Sequence, residues 1–194
     1  PQKAGASMLV VGLGTGVNAA PVHGAGAARV VPPSECGHVN MPVRSEEDLA
    51  LMRHVEGLLA ARGETPHCGV EEVLAGRGLG NLYDFAAHVA GKAGGLASAE
   101  VLSALEANDP TAEHAARLYT RILAQALADL ALIHLPYGGI YLVKTPILCN
   151  QRTFYPPRLA GQVVQRWQNY EVDDEIDFLC IEAILGHFKG RLPD

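Results

Sequence analysis

The chain has 194 residues, enough for one substantial hydrophobic core, and its 48% hydrophobic and 19% charged residues are those of an ordinary globular protein, which excludes a disordered or fibrous chain. Fifteen Lys and Arg against twenty-one Asp and Glu give a formal charge of −6 with no basic cluster, so no nucleic acid partner is expected. The longest apolar run, 122–135, is interrupted by Gln125, Asp129 and His134 and is too short for a bilayer, and the four cysteines form no C-x-x-C pair, so no membrane partner, no metal site and a cytoplasmic location are expected.

The start resembles a signal peptide in having Lys3, an apolar stretch and Ala19-Ala20-Pro21, but glycines at 12, 14 and 16 interrupt that stretch too early. Residues 8–11 read instead as a buried strand that runs into the glycine loop Gly12-Leu13-Gly14-Thr15-Gly16. Residues 19–22 and 28–31 are β-compatible and are separated by His23-Gly24-Ala25-Gly26, which predicts a hairpin and makes the beginning a β meander. Ser45 opens a helix with three acids in its first turn, and Leu51, Met52, Val55, Leu58 and Leu59 recur at helical spacing behind it.

A second helical stretch spans 79–89, and a third follows Ser98 as its N-cap. Asp109-Pro110 supplies the cap and first-turn proline of the longest helix, whose apolar stripe is Leu118, Ile122, Ala126, Leu130 and Ile133. A strand over 138–143 then completes an α/β layered domain. Beyond Lys144 the pattern degrades, with three prolines in 145–157, and helical periodicity returns only at 178–188.

Three groups of residues can carry chemistry. Gly14-Thr15-Gly16 offers backbone N–H groups clear of Cβ atoms and one hydroxyl, which suits a phosphate; read alone it is more simply a tight strand-to-strand turn. No Gly-Lys-Ser/Thr follows it, and a strand rather than a helix comes next, which disfavours a P-loop or dinucleotide site. Glu35 and His38 flank Gly37 in a non-helical segment, where a carboxylate accepts hydroxyl protons and an imidazole donates or accepts, as recognition of a vicinal diol requires. A surface Glu beside a hydrogen-bonded His is the plainer reading of that segment. Glu71, taken alone, is a solvated acid at a helix start.

In this order the segments resemble the bacterial glucokinase family of the hexokinase and actin-like superfamily. Gly14-Thr15-Gly16 is similar to the family's second phosphate loop, and Glu35-Cys36-Gly37-His38-Val39 resembles its Glu-Gly-Gly-His-Val, whose Glu and His bind glucose hydroxyls. Glu71, heading Glu-Glu-Val-Leu-Ala-Gly-Arg-Gly-Leu-Gly-Asn-Leu-Tyr, resembles the third sugar-binding carboxylate at the head of Glu-Arg-Val-Leu-Ser-Gly-Pro-Gly-Leu-x-Asn-Leu-Tyr. The match is close over 8–83 and looser through 138–143. Sugar kinases of the related ROK group follow a similar Glu-x-x-Gly-His with a cysteine-rich zinc motif, which is not found after His38.

The resemblance implies an α/β fold, the large domain of an actin-like (ribonuclease H-like) ATPase with a mixed sheet and flanking helices, spanning 1–194. It implies transfer of the γ-phosphoryl group of ATP to the 6-hydroxyl of glucose with Mg2+, with Glu35, His38 and Glu71 on the sugar and Gly14, Thr15 and Gly16 on the phosphate. A homodimer is also implied, the long helix offering a face for it. The family's Asp-x-Gly-Gly-Thr and the Asn-Asp pair that supplies the general base do not occur in these residues, so the amino-terminal small domain is expected to be absent and this stretch inactive alone. Lys144-Thr145 stands where the family has two glycines against the adenosine, and the closing Pro-Gly-x-x-Gly-Ala is reduced at best to Ile184-Leu185-Gly186. The alternative is a sugar-binding pseudokinase or regulatory module without nucleotide chemistry.

Overall fold

The computed structural model describes residues 5–144. The expectations for Lys3, Thr145, 145–157, 178–188 and 184–186 lie outside the described residues.

The sheet begins as a hairpin. Strand β1 (Met8–Leu13) pairs antiparallel with β2 (Val17–Val22), with Met8 opposite Val22 and Leu13 opposite Val17, so Gly14-Thr15-Gly16 is the connecting loop. The Gly14 N–H donates to the Gly16 carbonyl at 3.0 Å and closes it. Alternate residues Leu9, Val11 and Ala19 are fully buried, as the two-residue period of a strand with one covered face demands. Strand β3 (Ile140–Lys144) runs parallel to β1 on its other side, giving a mixed sheet of order β2-β1-β3.

The expected strand over 28–31 is not one. Gly24 and Gly26 take positive φ angles of 71° and 55°, a 3-10 turn follows at Gly26–Ala28, and Val30 makes only an isolated bridge to His23. The hairpin therefore lies one connection earlier than the composition suggested.

Helix α1 (Glu46–Ala61) starts as expected, with the Asp48 N–H donating to the Ser45 hydroxyl at 3.1 Å. A single turn, α2 (Glu71–Leu74), leads into α3 (Gly78–Val89). Helix α4 (Ser98–Glu106) is not capped by Ser98: its N-terminal partner is the Glu100 carboxylate, which accepts from the Ala97 N–H at 2.8 Å. The Ser98 hydroxyl instead donates to the Gly76 carbonyl at 2.8 Å and accepts from the Gly80 N–H at 3.2 Å. It stitches the α2–α3 turn rather than its own helix.

The longest helix, α5 (Pro110–His134), opens with Thr111 N–H donating to Asp109 and Pro110 in its first turn. Leu118, Ile122 and Ala126 are buried among Leu51, Val55, Leu82 and Phe85, while Leu127 and Leu130 pack on the sheet cluster of Leu9, Val11 and Ala19. Thus α5 joins the helical core to the sheet. The stripe ends sooner than expected, because Ile133 is 70% exposed. No helix among the described residues is long and apolar enough to cross a membrane.

A polar clasp fixes α1 on α5. Arg121 pairs with Glu47 at 2.6 Å and with Asp48 at 2.7 Å, and His114 bonds Glu47 at 3.0 Å. The Arg121 hydrogen bond holds the Glu47 carboxyl below its ordinary range. Burial pushes the Asp48 carboxyl up, but the Arg44 N–H, Ser45 and Arg121 outweigh it, so that it too lies low. Folded-state values below the unfolded ones contribute stability that is complete above the ordinary carboxylate range and is lost as pH falls through the folded values. In urea titrations the parent should lose stability more steeply than Arg121→Met from roughly pH 5 down to roughly pH 2. At neutral pH Arg121→Met should cost about 2–3 kcal/mol by stranding Asp48. Equal pH slopes in the two proteins would refute the clasp.

Candidate functional site

The backbone brings three separated segments together. Residues 36–38 form a 3-10 turn in which the His38 N–H donates to the Glu35 carbonyl at 3.1 Å. Directly after it the Met41 N–H donates to the Cys68 carbonyl at 3.1 Å, and the Val70 N–H to the Val39 carbonyl at 2.9 Å. This short bridge places His38 beside Glu71 at the start of α2. Cys36 anchors the turn from below: its side chain packs against both the sheet cluster and the helical core. Burial pushes the Cys36 thiol up, so it stays neutral and acts as a small apolar plug.

All three polar side chains predicted from sequence converge. His38 Nδ1 lies 3.2 Å from Glu71 Oε1, and His38 Nε2 lies 3.7 Å from Glu35 Oε2. Glu71 is the shielded member, its side chain 26% exposed, whereas Glu35 is 87% exposed. The imidazole bridges two carboxylates, one held inside and one in solvent.

Glu71 also reaches the glycine loop. A Cβ on Gly16 would sit 3.2 Å from Glu71 Oε2, and a Cβ on Gly37 would sit 3.0 Å from the same atom and would run into the Val17 carbonyl. Gly37 is needed for this close approach and Gly16 eases it: one carboxylate oxygen lies between the loop and the 35–38 turn. Gly16 therefore adjoins the carboxylate cluster, and Gly14 and Thr15 follow within two residues of it, with Thr15 exposed at the tip.

A cavity of about 370 Å3 opens beside the loop, lined by Thr15, Glu71, Glu72, Ala75, Gly76 and Arg77. Its far wall was not visible in the sequence. Arg77 Nε and Nη2 each donate to the Glu72 carboxylate at 2.8 Å, and Nη2 also pairs with Glu64 at 2.8 Å. Glu64 pairs with Arg62 at 3.3 Å, Arg62 Nη2 donates to Asn81 Oδ1 at 3.4 Å, and Asn81 Nδ2 donates to the Glu72 carbonyl at 2.8 Å. The contacts close into a ring. Hydrogen bonds to Glu72 and Glu64 hold the Arg77 guanidinium firmly charged, and Arg77 in turn holds the Glu64 carboxyl low. The one sequence signal for this ring was the acid–base pair five residues apart, which by itself indicates nothing.

Among the described residues no group of three or more His, Cys, Asp or Glu is arranged to hold a metal ion. What the site offers is a pair of carboxylates and an imidazole for hydroxyl groups, next to backbone N–H groups, one hydroxyl and one cation for an anion.

If Gly37 is needed for the wedge, Gly37→Ala should lower stability by about 1–3 kcal/mol in urea unfolding, the cost of overpacking. Gly57→Ala, where an added Cβ meets nothing within 4 Å in mid-helix, should instead stabilise by about 0.5–1 kcal/mol. A Gly37→Ala protein as stable as its parent would contradict the packing.

Comparison with known proteins shows the family. The glucokinase family model matches residues 1–144. A glucokinase from Brucella abortus is 34% identical over 154 residues, covering 73% of this chain and 40% of that protein, and one from Sinorhizobium medicae is 33% identical, covering 70% and 39%. The chain thus spans about 40% of the length of these curated relatives. Among solved structures, a glucokinase from an Antarctic psychrotroph superposes with a TM-score of 0.64 at 25% identity, covering 78% of this chain and 46% of that one. A glucokinase from Balamuthia mandrillaris, solved in complex with glucose, shares the fold with a TM-score of 0.61 at 22% identity, covering 75% and 41%.

Proposed function

The chain belongs to the glucokinase family, and on that premise we propose that it is the sugar-gripping part of the large domain of a cytoplasmic kinase that phosphorylates the 6-hydroxyl of glucose from ATP. The observation that carries this reading is the Glu71 carboxylate, which touches both the Glu35–His38 turn and the glycine loop. Sugar and phosphate have to meet within bonding distance for transfer, and one shared wall between their candidate sites provides that register.

In this reading Glu35 and Glu71 accept hydrogen bonds from ring hydroxyls, and His38 donates or accepts at a third. The present contact of His38 Nδ1 with Glu71, at 3.2 Å, gives way to the sugar. Gly14 and Gly16 leave the loop backbone open to a phosphate, and Thr15 contributes its hydroxyl. ATP would supply the phosphoryl group, and Mg2+ would offset the negative charge of the phosphates. These residues bind and orient. The carboxylate that takes the proton from the 6-hydroxyl is assigned to the portion of the relatives' length that this chain does not span. The residues facing adenosine stay outside this assignment: Lys144 ends β3, and Thr145 is not among the described residues.

Calorimetric titration with glucose tests the reading. Glu35→Gln and Glu71→Gln should each weaken binding more than tenfold, on the order of 1.5–3 kcal/mol for a charge-assisted bond to a hydroxyl. Substituted proteins that bind glucose as tightly as the parent would remove these residues from the sugar site.

A further inference from the structure

The cavity beside the glycine loop carries two carboxylates, Glu71 and Glu72, on its wall. A phosphate entering it needs a positive partner to offset them. Arg77 is the cation that lines the same cavity. It stands one residue beyond Gly76, whose hypothetical Cβ would be 3.6 Å from the Gly14 carbonyl oxygen and 3.7 Å from Thr15 Cα. The turn bearing Arg77 is therefore packed directly against the loop.

We propose that Arg77 is an anion-contacting residue of this cavity, donating from the Nη1 edge of its guanidinium to a phosphate seated on Gly14-Thr15-Gly16. The inference rests on the kinase reading and extends it to a residue outside the sugar turn and the glycine loop. Arg77 spends Nε and Nη2 on Glu72 and Glu64, and among the described residues no partner engages Nη1. A guanidinium is a rigid planar fork, so carboxylates that fix Nε and both hydrogens of Nη2 also fix where Nη1 points. Fixing it beforehand removes the side-chain ordering cost that a free arginine would meet on binding.

The ring itself does not repel an anion. Arg62 and Arg77 balance Glu64 and Glu72 charge for charge. Its further ties, Asn81 to the Glu72 carbonyl and Ser98 to both Gly76 and Gly80, brace the turn that bears Arg77. Where the family pattern that this stretch resembles has Arg and Pro, the chain has Glu72 and Arg77, so the cation and the acid that aims it occur as a pair.

The test is calorimetric titration of the 194-residue chain with tripolyphosphate, alongside glucose, at two salt concentrations. Arg77→Met should weaken tripolyphosphate about tenfold and flatten its salt dependence, Arg77→Lys should fall between, and glucose affinity should stay unchanged in both. Glu64→Gln, which loosens the ring but keeps the cation, should stay within about twofold of the parent for tripolyphosphate. Unchanged tripolyphosphate binding in Arg77→Met overturns the proposal, as does a parent that binds glucose and not tripolyphosphate. Equal weakening by Glu64→Gln and Arg77→Met also overturns it, since Arg77 would then act only as a brace. The glucose titration reports separately on the kinase reading, so the two can fail independently.

Discussion

The structure turns on a single carboxylate. Glu71 Oε2 is wedged where Gly16 and Gly37 leave no side chain, while Oε1 faces His38 at 3.2 Å. A carboxylate in so tight a seat holds its geometry only if its surroundings are rigid, and each wall of the seat is backbone tied into the core. Gly16 closes a three-residue hairpin loop, Gly37 belongs to a turn plugged by Cys36, and Glu71 follows a backbone bridge between Val39 and Val70. The turn and the start of α2 are thereby held in register by main-chain hydrogen bonds, and the hairpin by the close packing of Gly37 on the Val17 carbonyl, rather than by the chemistry they present.

Stability and chemistry occupy different polar networks. The Arg121–Glu47–Asp48 clasp joins α1 to α5 and serves the fold. The Arg62–Glu64–Arg77–Glu72 ring sits at the α2–α3 turn and shapes the cavity. Helix α5 packs on both hydrophobic clusters, so the sheet that carries the loop and the helices α2 and α3 that flank Arg77 share one support.

What could be read from the sequence was what local chemistry decides. Ser45 and Asp109-Pro110 mark helix starts because capping involves neighbours three or fewer residues away. Glu35, His38 and Glu71 stood out through their order along the chain, and the structure brings them together. Residues 28–31 misled because β-branched side chains suggest a strand, whereas Gly24 and Gly26 impose a tight turn that leaves only one bridge. Ser98 misled for the opposite reason: its hydroxyl answers to residues 76 and 80, a tertiary demand that outweighs a local cap. Ile133 continues a helical stripe past the point where the described core ends. Arg77 carried only the uninformative acid–base pair with Glu72, since Glu64 joins it only when the loop after α1 folds against α2.

One acid links the Glu35–His38 turn to the glycine loop, and a crystal structure of the chain grown in saturating glucose tests that link. The expected result is a hexose with hydroxyls within hydrogen-bonding distance of Glu35 and Glu71, His38 drawn away from Glu71 Oε1, and Glu71 Oε2 still seated between Gly16 and Gly37. A hexose bound elsewhere on the surface, or Glu71 swung out of that seat, would contradict it.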